Sequence, residues 1–181
     1  MRVRASRRQR RKSVVQLKAS DQRDEQRSAL SVEIERVYNA PRMLVYRMWS
    51  TPDHLAKWSA PRGYAIPAAR TDFREGGSWY ARMLSLGGAD FRVQGHYVEI
   101  VEGSRIVLTH AWLDEKGKPG HETLITIVLE DEGKNTKMTF RQEGFDSIAS
   151  RDGMAGGWKE CFDQLGEQLA HIAGPSDRRK S

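Results

Sequence analysis

Three features of this 181-residue sequence predict an α+β domain, in which a curved antiparallel sheet wraps a long C-terminal helix around a hollow. First, one strand leads into two short helices, each opened by a proline, at Ala40-Pro41 and at Thr51-Pro52. Second, six further strand-like segments follow, separated by short Gly- or Asp-containing loops, the pattern of an antiparallel meander. Third, from Met154 to Ile172 the apolar period switches to three or four, which predicts one amphipathic helix of roughly 20 residues.

The first strand is Ser31–Tyr38, with Val32, Ile34 and Arg36 on one face and Glu33, Glu35 and Val37 on the other. Asn39-Ala40-Pro41 ends it, and proline suits the first turn of a helix, where its missing N–H leaves nothing unpaired. Leu44, Val45, Met48 and Trp49 then recur at helical spacing. Thr51 is placed to cap the second short helix, with Pro52 and Asp53 in its first turn and Leu55 and Trp58 on one face. Pro61 and Gly63 close it.

The remaining strands are expected at Tyr64–Arg74, Ser78–Leu84, Phe91–Val101, Arg105–Leu113, Glu122–Glu130 and Thr136–Glu143. Gly76-Gly77 and Leu86–Asp90 turn the chain between the early ones. The long helix takes Ser150 or Asp152 as its cap and stops at Gly174-Pro175. Gly156-Gly157 near its start costs about 1 kcal/mol per glycine against alanine. A close approach of another backbone would account for that cost.

The net charge of +6 is unevenly spread. Residues 1–12 carry seven Arg or Lys and no acid, whereas residues 29–176 balance at −3. Residues 1–28 read as a basic, disordered tail, 29–173 as the folded domain, and 174–181 as a short basic C-terminal tail. A solvated extension is the simplest reading of the first segment. A transit peptide and weak, salt-sensitive nucleic-acid contact through residues 1–12 stay open.

No apolar run approaches the roughly 20 residues that span a bilayer. No apolar stretch follows the basic N-terminus, so a secretory signal is not expected, and a cytoplasmic protein is. Cys161 is the only cysteine, which rules out an internal disulfide and a cysteine-based zinc site within one chain.

The order and spacing of several short motifs resemble the START-like (SRPBCC) superfamily, and within it the homologues of the activator of heat-shock-protein-90 ATPase. Ala40-Pro41 with Val45 and Trp49, Thr51-Pro52-Asp53, Leu55, Trp58 and Pro61 carry the first part of the resemblance. Asp72-Phe73-Arg74 with Gly76-Gly77, then Gly95-His96-Tyr97-Val98-Glu99-Ile100 and Arg105-Ile106-Val107, carry the middle. Thr136-Lys137-Met138-Thr139, Gly157-Trp158 and Leu165 complete it, so that it spans about Ser31 to Ile172. The chain departs from it at Trp58-Ser59-Ala60-Pro61, where the family often reads Trp-Trp-Gly-Pro. The resemblance implies the helix-grip (START-like, Bet v 1-like) fold: a seven-stranded antiparallel sheet around a C-terminal helix, enclosing a cavity. It also implies three possible roles: carriage of a small apolar or amphipathic molecule, partnership with a heat-shock-protein-90-type chaperone, or cyclase-type catalysis.

Five tryptophans are many for one small domain. An indole offers a flat apolar face and one N–H donor, which suits a ring-bearing ligand. The competing reading is that they fill the core, and it is strongest for Trp49 and Trp158. His110 and Trp112 share a strand face with Ile106 and Leu108, so His110 should point inward. There it would hydrogen-bond a ligand, move a proton as acid or base of a cyclase-type reaction, or be held by a backbone carbonyl. His96 by its parity with Val98 and Ile100, and Gln142 by its parity with Met138 and Phe140, are further inward candidates.

The residues expected to touch a small apolar or aromatic ligand are Trp58, Trp79, Met83, His110, Trp112, Phe140, Trp158 and Phe162. No cofactor or metal is expected, since the histidines are scattered and no ligand spacing such as HxxxH occurs. No nucleophile motif such as GxSxG is present, and Gly76-Gly77 precedes a strand, not a phosphate-binding helix.

Overall fold

The computed structural model describes residues 29–173. The expected tails, 1–28 and 174–181, and the expected stop at Gly174-Pro175 lie outside the described residues. Strand β1 (Ser31–Tyr38) is followed by helices α1 (Arg42–Ser50) and α2 (Pro52–Trp58). Then come β2 (Tyr64–Thr71), β3 (Ser78–Ser85), β4 (Asp90–Val101), β5 (Arg105–Leu113), β6 (Pro119–Glu132), β7 (Asn135–Glu143) and helix α3 (Ile148–Ala173). All seven strands form one sheet in the order β1-β7-β6-β5-β4-β3-β2, every pair antiparallel. The first strand thus closes onto the last, and β2 is left as the far edge. This is the helix-grip α+β fold that the order of elements predicts.

Local chemistry explains where boundaries differ from expectation. Pro41 is the N-cap of α1, not its first turn, and its carbonyl accepts the Leu44 and Val45 amides. Thr51 occupies the N-cap of α2 without a side-chain cap; its carbonyl accepts the Leu55 amide. Strand β2 stops at Thr71 because Asp72–Gly77 folds into its own turn, with the Arg74 amide on Asp72 O and the Gly77 amide on Arg74 O, each at 2.8 Å. The last helix is longer than expected, at 26 residues. Its first turn is capped by neither Ser150 nor Asp152: Ser147 Oγ accepts the Ser150 amide at 3.2 Å.

The inner face of β4 corrects the parity read from sequence. A bulge at Val98 interrupts the pairing with β5 between Tyr97↔Leu108 and Glu99↔Val107. Before it, Val93 and Tyr97 face the core; after it, Ile100 does, opposite Ile106. One extra residue shifts alternation by one, so His96 and Val98 fall on the outer face and are exposed.

Helix α3 packs on β1 and β7 and meets α1 and α2. Trp49, Trp58, Phe140, Trp158 and Phe162 form an aromatic cluster, with Trp49–Trp58 centroids at 4.6 Å and Phe140–Phe162 at 5.0 Å. Buried polar groups are satisfied across elements: Trp58 Nε1 donates to Met48 O at 3.0 Å and Thr136 Oγ1 to Ala40 O at 2.7 Å. Trp49 Nε1 is buried without a hydrogen-bond partner, enclosed by aromatic rings. Each large ring fully buried here stabilises the fold by about 1.5–3 kcal/mol relative to exposure.

Candidate ligand cavity

Helix α3 leans on β1 and on the two short helices, and stands away from the β2–β5 half of the curved sheet. Between them lies a cavity of about 460 Å³. Its floor is the inner face of the sheet, where period-two alternation brings Trp79, Ala81 and Met83 of β3 beside Val93 and Tyr97 of β4. Ile106, Leu108, His110 and Trp112 of β5 and Ile125 of β6 continue that surface. The opposite wall is the i, i+4 stripe of α3, formed by Gly153, Met154, Gly157, Trp158 and Cys161. Trp49 and Leu55 close one end, and Tyr64 and Phe91, their rings 6.0 Å apart and both exposed, stand at the other.

Five of the eight residues expected to touch a ligand border this space: Trp79, Met83, His110, Trp112 and Trp158. Trp58, Phe140 and Phe162 do not, and their placement corrects that expectation. Each is at most 1% exposed, packed in the aromatic cluster under α3. Phe140 faces inward on β7, but α3 covers that strand and the α1–α2 corner, so the rings of Phe140, Trp58 and Phe162 meet one another. Trp49, expected only as core, reaches both cluster and cavity. Tyr64, Phe91, Val93 and Tyr97 were not expected as wall residues. The parity of β4 upstream of its bulge would have pointed to the last three.

A directed chain of buried hydrogen bonds ties the helix to the sheet behind the wall. Trp158 Nε1 donates to Gln142 Oε1 at 2.7 Å, Gln142 Nε2 to Thr123 Oγ1 at 2.8 Å, and Thr123 Oγ1 to His110 O at 3.2 Å. Gln142 therefore serves the protein's own polar network and does not border the cavity, contrary to expectation. On the other side, Trp79 Nε1 reaches across β4 to Thr109 O at 3.0 Å. It can do so because its cross-strand neighbour is Gly95. A Cβ there would sit 1.8 Å from Thr109 O and 2.5 Å from Trp79 Nε1.

His110 is 5% exposed, its ring 5.9 Å from Trp79 and 5.2 Å edge-on to Trp112. Burial among apolar groups pushes its pKa down to about 4, so the imidazole is neutral at physiological pH. A hydrogen bond with its own backbone acts in the opposite direction and is the smaller effect. Burial, with a smaller contribution from Glu160, raises the Cys161 thiol to about 12. Among the described residues, Arg70 is the one charged residue along the boundary; it pairs with Tyr80 on the parity opposite Ala69 and Ala81, and is exposed. Among the described residues no group of His, Cys, Asp or Glu is placed to hold a metal, and no helix is long and apolar enough to cross a membrane.

Residues 39–170, which include every residue of the cavity wall, match the family model described as "Activator of Hsp90 ATPase homolog 1-like protein". The chain belongs to this family. As an AHSA-like member of the START-like superfamily, it shares its fold with solved bacterial structures. Protein CV1439 from Chromobacterium violaceum is 28% identical, with 77% of this chain and 96% of that one covered at a TM-score of 0.71. Protein NE0264 from Nitrosomonas europaea is 25% identical over 80% and 97%, with a TM-score of 0.69. The AHSA1 protein SPO3351 from Silicibacter pomeroyi, 19% identical over 78% and 99% at a TM-score of 0.72, is a likeness of fold. No curated protein matches this AHSA-like chain.

Proposed function

We propose that this AHSA-like protein binds a small, uncharged, apolar or aromatic molecule in the hollow between the sheet and α3, with no catalytic step assigned. The observation that carries the reading is the composition of the wall: aromatic and aliphatic side chains, one neutral imidazole, and no charged group on the inward parity of β3, β4 or β5. Such a surface gains from apolar contact at about 25 cal/mol per Å², offset by ordering costs, and disfavours an unpaired charge. His110 supplies the polar contact that orients the ligand. Its depressed pKa makes it a poor proton shuttle near neutrality, which weighs against the cyclase-type reading.

The test is titration with neutral apolar probes, beginning with N-phenyl-1-naphthylamine, read by probe fluorescence and by quenching of the wall tryptophans. The expected result is saturable one-to-one binding that Trp112→Ala weakens at least about tenfold, the loss of one large ring contact. Failure of every neutral apolar probe to bind would remove the proposal.

A second reading rests on the family's description, which names activation of the Hsp90 ATPase. Partnership with such a chaperone would use the outer surface. Complex formation and ATPase stimulation with the heat-shock-protein-90 homologue, unaffected by Trp112→Ala, would favour it over the cavity reading.

A further inference from the structure

Most polar groups on the cavity wall are already engaged with the protein. Trp79 Nε1 donates to Thr109 O, Trp158 Nε1 to Gln142 Oε1 and Ser59 Oγ to Leu55 O, while Tyr97 Oη and Thr71 Oγ1 are hydrogen-bonded at 2.7 Å. Helix α3 adds no strong acceptor. Beside Trp158 and the protonated thiol of Cys161 it presents Met154 and two bare positions, Gly153 and Gly157. The expected approach of another backbone to Gly156-Gly157 is absent: a Cβ at Gly156 would meet nothing within 4 Å, and one at Gly157 only Pro61 Cγ at 3.4 Å. His110 is different. Its ring bonds its own backbone in the sense that favours the protonated imidazole, so the ring N–H donates and the carbonyl accepts. A neutral imidazole has one N–H, so its second nitrogen carries a lone pair and can only accept. That nitrogen has no partner on another described residue, yet it is not among the buried polar atoms left unpaired. It therefore has an open side. In a residue 5% exposed that borders the cavity, the open side is the cavity.

We infer that the cavity selects a neutral, ring-bearing molecule that carries a hydrogen-bond donor, a phenol being the simplest, and that this donor binds the open nitrogen of His110. This rests on the binding reading above and narrows it. The ring of such a ligand lies against Trp79 and Trp112, whose rings stand 5.9 and 5.2 Å from the imidazole. A hydrocarbon would bury the lone pair unpaired, and an ether or ketone would set its own lone pairs against it. A carboxylate cannot donate and brings an unpaired charge into an apolar wall. Apolar burial alone makes the opposite forecast. It ranks a hydrocarbon or ether above the phenol of the same ring, because a hydroxyl resists leaving water.

The experiment is displacement of N-phenyl-1-naphthylamine from the full chain at pH 7 by 1-naphthol, naphthalene and 1-methoxynaphthalene. On the parent chain, 1-naphthol is expected to bind about threefold or more tighter than either of the other two, the net worth of one buried hydrogen bond. His110→Phe keeps a flat ring and removes the acceptor. It is expected to reverse that order, read as the ratio of affinities within the variant whatever their absolute values, with thermal melting to confirm folding. A second measurement needs no variant: the nitrogen-15 resonance of the lone-pair nitrogen of His110 should move further upfield with 1-naphthol than with 1-methoxynaphthalene. If His110→Phe does not fold, this signal decides, and equal shifts would overturn the inference. On the parent chain, 1-naphthol ranking last with all three bound would overturn the donor preference and leave the cavity reading standing. A preference for 1-naphthol that persists in folded His110→Phe would overturn His110 as its source. No binding of N-phenyl-1-naphthylamine or of any of the three would overturn both readings.

Discussion

The indole N–H of Trp158 on α3 and the side-chain carbonyl of Gln142 on β7 are 2.7 Å apart, and this bond fixes the amide so that Gln142 donates to Thr123. Helix and sheet are thus held by a polar contact at the boundary between the filled half of the core and the hollow half. Gln142→Leu should destabilise the fold by about 1–3 kcal/mol, because it strands the Trp158 donor and removes the Thr123 bond. Urea unfolding measures the loss. In the same series, Thr123→Val should cost less in the Gln142→Leu background than alone, since the two side chains act as one chain.

His110 makes stability depend on pH. Its folded pKa of about 4 lies below the ordinary imidazole value of 6.5, so the unfolded chain binds the proton more readily. The contribution is fully present above pH 6.5 and is lost as pH falls from there towards 4, amounting to about 3 kcal/mol at most. His110→Gln should flatten that part of the stability–pH curve measured by denaturant midpoints. An unaltered slope in the variant would show that His110 is not the group responsible.

Gly95→Ala should be among the most damaging single-methyl additions in the domain. The new Cβ would fall 1.8 Å from a backbone oxygen, and neither β4 nor β5 can yield without breaking its ladder. A loss of about 2 kcal/mol or more is expected, together with displacement of Trp79 from Thr109 O. Near-ultraviolet circular dichroism and chemical denaturation report the two effects separately.

Cys161 gives a chemical readout of the wall. With the thiol raised to about 12 and 3% exposed, its reaction with Ellman's reagent at pH 8 should be about a thousandfold slower than in the unfolded chain. A bound naphthylamine should slow it further. Rapid labelling of the native protein would contradict the burial described for this residue.

Core and wall should separate by substitution. Phe140→Ala, at a fully buried site, is expected to cost about 3–5 kcal/mol. Trp112→Ala, at a half-buried ring beside existing space, should cost less in stability and more in probe affinity. Melting temperature and probe titration on the same two variants test the distinction.

Much of this was legible in the sequence because alternation and capping are local. All seven strands, both proline-led helices and the inward face of β5 follow from residue order, and His110 faces inward as Ile106 and Leu108 require. What the sequence could not carry was long-range. Parity puts Phe140 on the inner face but is silent on whether α3 covers it. The bulge at Val98 is set by pairing between β4 and β5, and it turns His96 outward with no local warning. The glycines of α3 were visible as a cost, but their meaning depends on what stands opposite them, which only the folded chain supplies.

Because α3 clasps the β1–β7 side and stands off from β2–β3, the two halves of the sheet differ in cohesion. Amides bonded across the β1–β7 ladder should exchange with deuterium only through near-global opening, whereas the β2 edge, which α3 does not cover, should detach at lower free energy. An occupant of the hollow would supply the missing second layer, so binding and the mending of that weak margin are one thermodynamic event.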